Sequence, residues 1–455
     1  MSPTGDNPPG LALAPGVPHI VSRRVPAILL AAALFATACG SNAVPAAESV
    51  KAAGSGPVTI SFADYNLATA GLGADGTNAM IQDFEKANPD IKIDPVGITA
   101  TEILPKVQAM VVAGNAPDVA QEGFGDLDYV VNDLRAQPLD TIAGAQGLQA
   151  ALSAMYPPVA KLGQLNGKTY GLPYTLSTPI LFYNASLFQQ AGLDPTQPPS
   201  TWAQVKQDAL AIHSKAGASG VYIDCAYYFD WCWQGIVLSN GGRVLSQDRK
   251  TLEFGDPPAV QAAAMWQDLV KSGAHPPLSE NDAIAAFEGG KLGMLLETSA
   301  LQASLLTAAA KGGWDLRAAP MPAFPGHPVV PTNSGSALFI LSGNPQKQQA
   351  AWRFLQFMTS EQAYTIITEQ IGYLPLRPDV VADPNYLQPW IAQHPLMQPN
   401  LQQLQRLQPW VSFPGPNYVQ IKNIELAALQ QVVFGGADPA GTLGAAQKRA
   451  QALMP

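Results

Sequence analysis

The 455-residue sequence predicts an α/β protein built from more than one domain. Three observations carry this. Apolar periodicity alternates between strand and helix spacing in the order β-α-β-α-β over residues 58–120. A second block of strand and helix signals starts near Tyr174. The chain is also longer than a single hydrophobic core usually serves. Hydrophobic residues make up 47% and charged residues 13%, the latter about half the usual share. The 40 glycines and 41 prolines fall between periodic segments, which argues against low-complexity disorder.

Residues 58–63 read as a strand from β-branched content and alternation. Thr77 reads as the N-cap of a helix with Met80, Phe84 and Ala87 on one face, and Asn88-Pro89 stops it. Residues 91–94 alternate as a second strand. Thr101 is expected to cap the next helix, with Pro105 tolerated in its first turn. Ile103, Val107, Met110 and Val111 form its apolar stripe and Gly114 ends it. Residues 118–120 are a third short strand. This order predicts a parallel sheet with helices on both faces, which binds ligands outside the carboxyl ends of its strands. In the second block, 179–184 is a strand, 185–191 a helix closed by Gly192, 195–200 a turn and 202–215 a helix. A late strand at 338–341 precedes a helix with Ala351, Phe354, Leu355 and Met358 inward, then a helix capped by Ser360. Residues 419–453 read as two helices broken at Gly435-Gly436.

The N-terminus has the parts of an export signal. Arg23-Arg24 precede the apolar run 25–35, and small residues follow. The run is too short to span a bilayer as a helix. Ala36-Thr37-Ala38-Cys39 resembles the lipobox of a bacterial lipoprotein, although Ala36 stands where leucine is commonest. That resemblance implies a signal peptide over 1–38, lipid on Cys39, and membrane attachment through that anchor only. Residues 39–56 are small and polar, a flexible tether. In an oxidising compartment the two remaining cysteines, Cys225 and Cys232, are expected to form a disulfide across a short loop. Two cysteines without a nearby histidine make a poor zinc site, so no metal and no cofactor is expected. A net charge of −9 without a basic run excludes a nucleic-acid partner.

Six segments then resemble, in order, the extracellular solute-binding proteins of ABC importers. They are Ala116-Pro117-Asp118-Val119, the stretch Gly167 to Tyr174, Leu181-Phe182-Tyr183-Asn184, the stretch Phe287 to Met294, Asn344-Pro345 with its helix, and Gly372 to Arg377. The branch that binds glycerol-3-phosphate or glycerophosphodiesters is resembled through Tyr373-Leu374-Pro375-Leu376-Arg377 and Trp231-Cys232-Trp233-Gln234-Gly235. The resemblance implies a two-lobed fold of the type II periplasmic-binding-protein kind, with hinge strands around a central cleft. One lobe would comprise 57–174 and 337–372, the other 175–336 and 373–455. It also implies a small-molecule ligand, a permease pair as partner, a monomer and no catalysis.

Candidate ligand contacts follow. Residues 227–233 hold five aromatics in seven positions, and Trp231 matches the family's ligand-facing position, with Trp233 beside it. Tyr65 and Asn66 follow the first strand, and Gln121 and Glu122 the third, at their carboxyl ends. Glu297, Thr298 and Ser299 end a strand at 294–296, where the resemblance implies polar ligand contacts. Tyr174, Ser334, Gly335 and Tyr373 lie at the expected lobe crossings, and Tyr418 is a further contact there. Arg377 would grip a phosphate in a bidentate fork.

Rival chemistries are weaker. Gly71-Leu72-Gly73-Ala74-Asp75-Gly76 matches a dinucleotide fingerprint, but seven residues separate it from the strand end, so it reads as a flexible cleft loop. Residues 163–169 are one residue short of a phosphate-binding P-loop. Asp126-Leu127-Asp128 reads as two solvated loop acids. A secreted glycosidase is the alternative function, with Glu122 and Glu297 as its carboxylate pair.

Overall fold

The computed structural model describes residues 57–69, 72–225 and 230–455. The export signal, the Cys39 lipobox, the tether and the aromatics Tyr227, Tyr228 and Phe229 lie outside the described residues.

Eleven strands are present among the described residues: β1 Val58–Asp64, β2 Ile91–Gly97, β3 Val119–Gly123, β4 Gln164–Leu165, β5 Lys168–Thr169, β6 Gly171–Ser177, β7 Pro179–Asn184, β8 Ser219–Ile223, β9 Leu292–Thr298, β10 Leu316–Ala319 and β11 Ser334–Ile340. They form a five-stranded sheet in the order β2-β1-β3-β11-β6, a four-stranded sheet in the order β10-β7-β9-β8, and a small β4-β5 hairpin. The β-α-β-α-β reading holds: β2, β1 and β3 are mutually parallel. β11 runs antiparallel to both β3 and β6. Only Thr178 separates β6 in one sheet from β7 in the other, so the chain changes sheets there in a single residue.

Local chemistry explains the better-defined helices. Asn344 accepts from the backbone N–H groups of Gln346 and Lys347, and Pro345 opens the Pro345–Met358 helix, where its missing N–H costs nothing. Ala351, Phe354, Leu355 and Met358 are buried as their spacing requires. Phe354 meets Phe62 and Phe84 edge to face, each at 5.0 Å between ring centroids. Ser360 caps the next helix. A reciprocal box between Thr201 and Gln204 starts Trp202–Ala211. The C-terminal pair, Tyr418–Val433 and Pro439–Gln451, breaks at the two glycines.

Several expectations are corrected. The first helix is Leu72–Ala87, so Thr77 lies within it, fully buried, and caps nothing. The glycines at 73 and 76 are helical rather than a flexible loop. A Cβ at position 76 would come within 3.0 Å of Ile371, so glycine there serves close helix packing. The Ile103–Val112 helix is capped at Glu102, not Thr101. Asp126 and Asp128 are both buried, not solvated. Asp126 accepts the Tyr418 hydroxyl at 2.9 Å and Asp128 accepts the Arg249 guanidinium at 2.5 Å, so burial is compensated by donors.

Candidate functional site

A cavity of about 490 Å³ opens between the two sheets, within the usual range for small-molecule sites. Strand ends build it. Tyr65 follows β1, Gly123 ends β3, Ser177 ends β6, Asp224 and Cys225 follow β8, and Glu297 and Thr298 end β9. These are the carboxyl ends at which open α/β sheets place ligands. Ser334 and Gly335 enter from the start of β11, and Trp231 from the first residue of the Trp231–Leu238 helix. Tyr373 and Trp410 complete the aromatic lining.

Seven of the residues expected from the sequence line this cavity: Tyr65, Trp231, Glu297, Thr298, Ser334, Gly335 and Tyr373. The others stand elsewhere. Gln121 is fully buried behind Tyr65. Its side-chain oxygen accepts from the Tyr65 backbone at 2.9 Å and its amide donates to Ser336 at 2.9 Å. Ser336 and Thr175 hydroxyls are 2.7 Å apart, and Thr175 meets the Tyr65 hydroxyl at 3.1 Å. Gln121 therefore positions the Tyr65 ring. Asn66 and Tyr174 are buried beside that network. Glu122 is fully buried on β3, neither carboxylate oxygen meets a donor, and burial holds its carboxyl well above the ordinary range. Trp233 is fully buried and donates to Glu425 at 3.0 Å. Ser299 accepts from the Thr178 backbone across the sheet junction. The Arg377 guanidinium pairs with Glu361 at 2.5 Å and Asp379 at 2.6 Å and is not among the lining residues. Tyr418 is buried on Asp126.

Cys225 and Cys232 are joined by a disulfide, with 5.0 Å between their Cα atoms. The bond ties the segment carrying Asp224 to the helix carrying Trp231.

The lining also holds residues not expected from the sequence: Asp126, Asp224, Glu280, Asn281 and Trp410. The carboxyl-end rule would have found Asp224 had the short β8 strand been recognised. Glu280 follows the capping residue Ser279 at the start of Glu280–Glu288, a legible helix-start signature. Trp410 comes from a non-periodic stretch and is held from two sides. Its backbone N–H donates to Asn333 and its indole donates to Asp230, each at 2.9 Å. A Cβ on Gly125 would run into the Trp410 ring, so that glycine allows the indole its place.

The electrostatics are one-sided. Asp126, Asp224, Glu280 and Glu297 line the cavity, and no lysine, arginine or histidine is among the lining residues. Burial, compounded by Asp224, pushes the Glu280 carboxyl up to about 7. Glu297, more deeply buried and also facing Asp224, is held well above the ordinary range. The arrangement offers flat aromatic surface and oxygen acceptors but no built anion clamp. Such a lining can hold hydroxyl groups and cations; among its described residues there is no cationic side chain to neutralise a phosphate.

Comparison with known proteins places this architecture. The chain is 26% identical over 318 residues to the sn-glycerol-3-phosphate-binding periplasmic protein UgpB of Escherichia coli K12, covering 66% of this chain and 70% of that one. UgpB of Mycobacterium tuberculosis, solved with glycerophosphocholine, superimposes with a TM-score of 0.75 at 23% identity over 88% of this chain and 98% of that one. The cyclic alpha-maltosyl-1,6-maltose binding protein of Arthrobacter globiformis gives 0.74 at 23% identity, over 88% and 99%. Residues 79–399 match the family model for the bacterial extracellular solute-binding proteins, and with a cleft lined at the strand ends of two sheets this chain belongs to that family.

Proposed function

We propose that the chain is the substrate-binding component of an ABC importer. It captures a polar small molecule, a sugar or a glycerophosphodiester, in the interlobe cleft and delivers it to a permease pair. Lobe 1 comprises 57–174 and 337–372, and lobe 2 comprises 175–336 and 373–455. The protein is exported as a monomer, is held at the outer face of the membrane through lipid on Cys39, and catalyses nothing. The observation that carries the reading is the cavity itself: aromatic rings and oxygen acceptors at the ends of strands from both sheets, in a family of solute binders. A ligand touching both lobes biases the open–closed equilibrium, which is what a permease can read.

The glycosidase alternative needs two carboxylates facing one bond across about 5–9 Å. Glu122 is fully buried on β3 and absent from the lining, while Glu297 lines the cavity, so the pair named from the sequence does not share a reaction space. Titration calorimetry tests the proposal. The panel sets maltose, trehalose and amino sugars against glycerol-3-phosphate and glycerophosphocholine. The expected result is micromolar or tighter binding of at least one member with no change in the ligand recovered. Hydrolysis of a bound member would overturn it.

A further inference from the structure

We propose that the physiological ligand carries a positively charged nitrogen on its polar body, and that this nitrogen sits among Asp224, Glu280 and Glu297 against the Trp231 ring. The inference rests on the binding-protein reading above and adds the ligand's charge. The three carboxyl groups come from separate elements: the end of β8, the first turn of the Glu280–Glu288 helix and the end of β9. Asp224 lies within hydrogen-bonding reach of both glutamates. Three neighbouring carboxylates repel one another, and among the described lining residues no cation compensates them.

A second observation points to an absent partner. Glu297 is only 5% exposed. One of its oxygens accepts from the Thr298 backbone at 2.6 Å, while the other finds no donor, and Asp224 neighbours the carboxyl group. A buried carboxylate without a donor is costly unless something completes it. Hydroxyl groups would supply hydrogen bonds but no positive charge to favour the ionised form of these acids. An ammonium supplies donors and charge together. A quaternary nitrogen supplies charge and suits an aromatic face.

The disulfide strengthens the assignment. Asp224 precedes Cys225 and Trp231 precedes Cys232, so the bond ties the segment that carries the acid to the start of the helix that carries the indole, and both residues line the cavity. An acid beside an aromatic face is the pairing that recognises organic cations.

Matched ligand pairs test this by calorimetry near neutral pH. Glucosamine disaccharide is compared with its uncharged N,N′-diacetyl form, and glycerophosphocholine with glycerophosphoglycerol. In at least one pair the cationic member is expected to bind about ten-fold tighter or more. Asp224→Asn and Glu297→Gln are each expected to collapse that ratio toward one, and two variants guard against one failing to fold. Equal binding within both pairs, or preference for the uncharged members, overturns the inference and leaves the binding-protein reading standing. Binding of maltose or trehalose without any of the four does the same. A protein that binds none of these compounds loses both readings.

Discussion

Trp231 sits where three constraints meet. It begins a helix, its neighbour Cys232 is bonded to Cys225, and its carbonyl accepts the Thr332 hydroxyl while the ring lines the cavity. Trp231→Ala removes the stacking face and is expected to weaken ligand binding about 10- to 100-fold, read by calorimetry. Arg377 makes the contrast. Its guanidinium is already satisfied by two carboxylates, so Arg377→Ala is expected to change affinity less than about two-fold while lowering the melting temperature slightly. A selective loss of phosphodiester binding in that variant would return Arg377 to the cleft. The phosphate role expected of this residue came from its motif, and motif membership does not say which acids surround an arginine once the chain folds.

At the scale of elements, β11 shows how a strand can be both scaffold and wall. Gly335 has φ +104 and is in register with Leu176. A side chain there would run into the Thr175 carbonyl. Gly335→Ala is therefore expected to destabilise the fold by about 2 kcal/mol or more, measured by denaturant unfolding. The disulfide acts over a short span, with a sequence separation of 7. The chain-entropy picture assigns such a loop roughly 2 kcal/mol. Thiol titration of the folded exported protein is expected to find neither Cys225 nor Cys232 free. Their replacement by alanine should weaken ligand binding as well as lower stability, because the staple orders the cleft wall.

Over the whole molecule, buried acids set the response to pH. Asp64 is fully buried with one oxygen on the Leu67 backbone at 2.8 Å and the other without a donor, and burial raises its carboxyl from 3.8 to about 7. Glu280 rises from 4.5 to about 7, and Glu122, Glu297 and Glu425 rise well above the ordinary range. Each of these groups binds its proton more tightly folded than unfolded. Stability is therefore highest below the unfolded values and falls as pH climbs toward the folded ones. For Asp64 and Glu280 that window runs from about 4 to about 7. The ligand-free protein is expected to melt several degrees lower at mildly alkaline pH than at mildly acidic pH. Asp64→Asn should flatten part of that slope, and a flat wild-type profile would contradict the assignment.

The local layer of this protein is legible in its amino-acid order. Periodicities of two and 3.6 placed β1, β2, β3 and β7, the inward face of Pro345–Met358 and the break between the last two helices, because backbone geometry couples those spacings to one-sided burial. The carboxyl-end rule led to Tyr65, and the motif at 231–235 to Trp231. Tertiary structure alone decided which neighbours share a surface. Tyr65 and Gln121 are 56 residues apart and become ring and support. Asp224, Glu280 and Glu297 carry no common motif and become one charged cluster, and Trp410 arrives from an aperiodic stretch. Glu122, one residue before Gly123 at the end of β3, is turned inward because alternate side chains of a strand face opposite sides. Local spacing specifies which face of an element is buried. Whether a polar side chain meets a ligand, a partner or nothing depends on contacts between elements distant in sequence, and those exist only in the assembled fold.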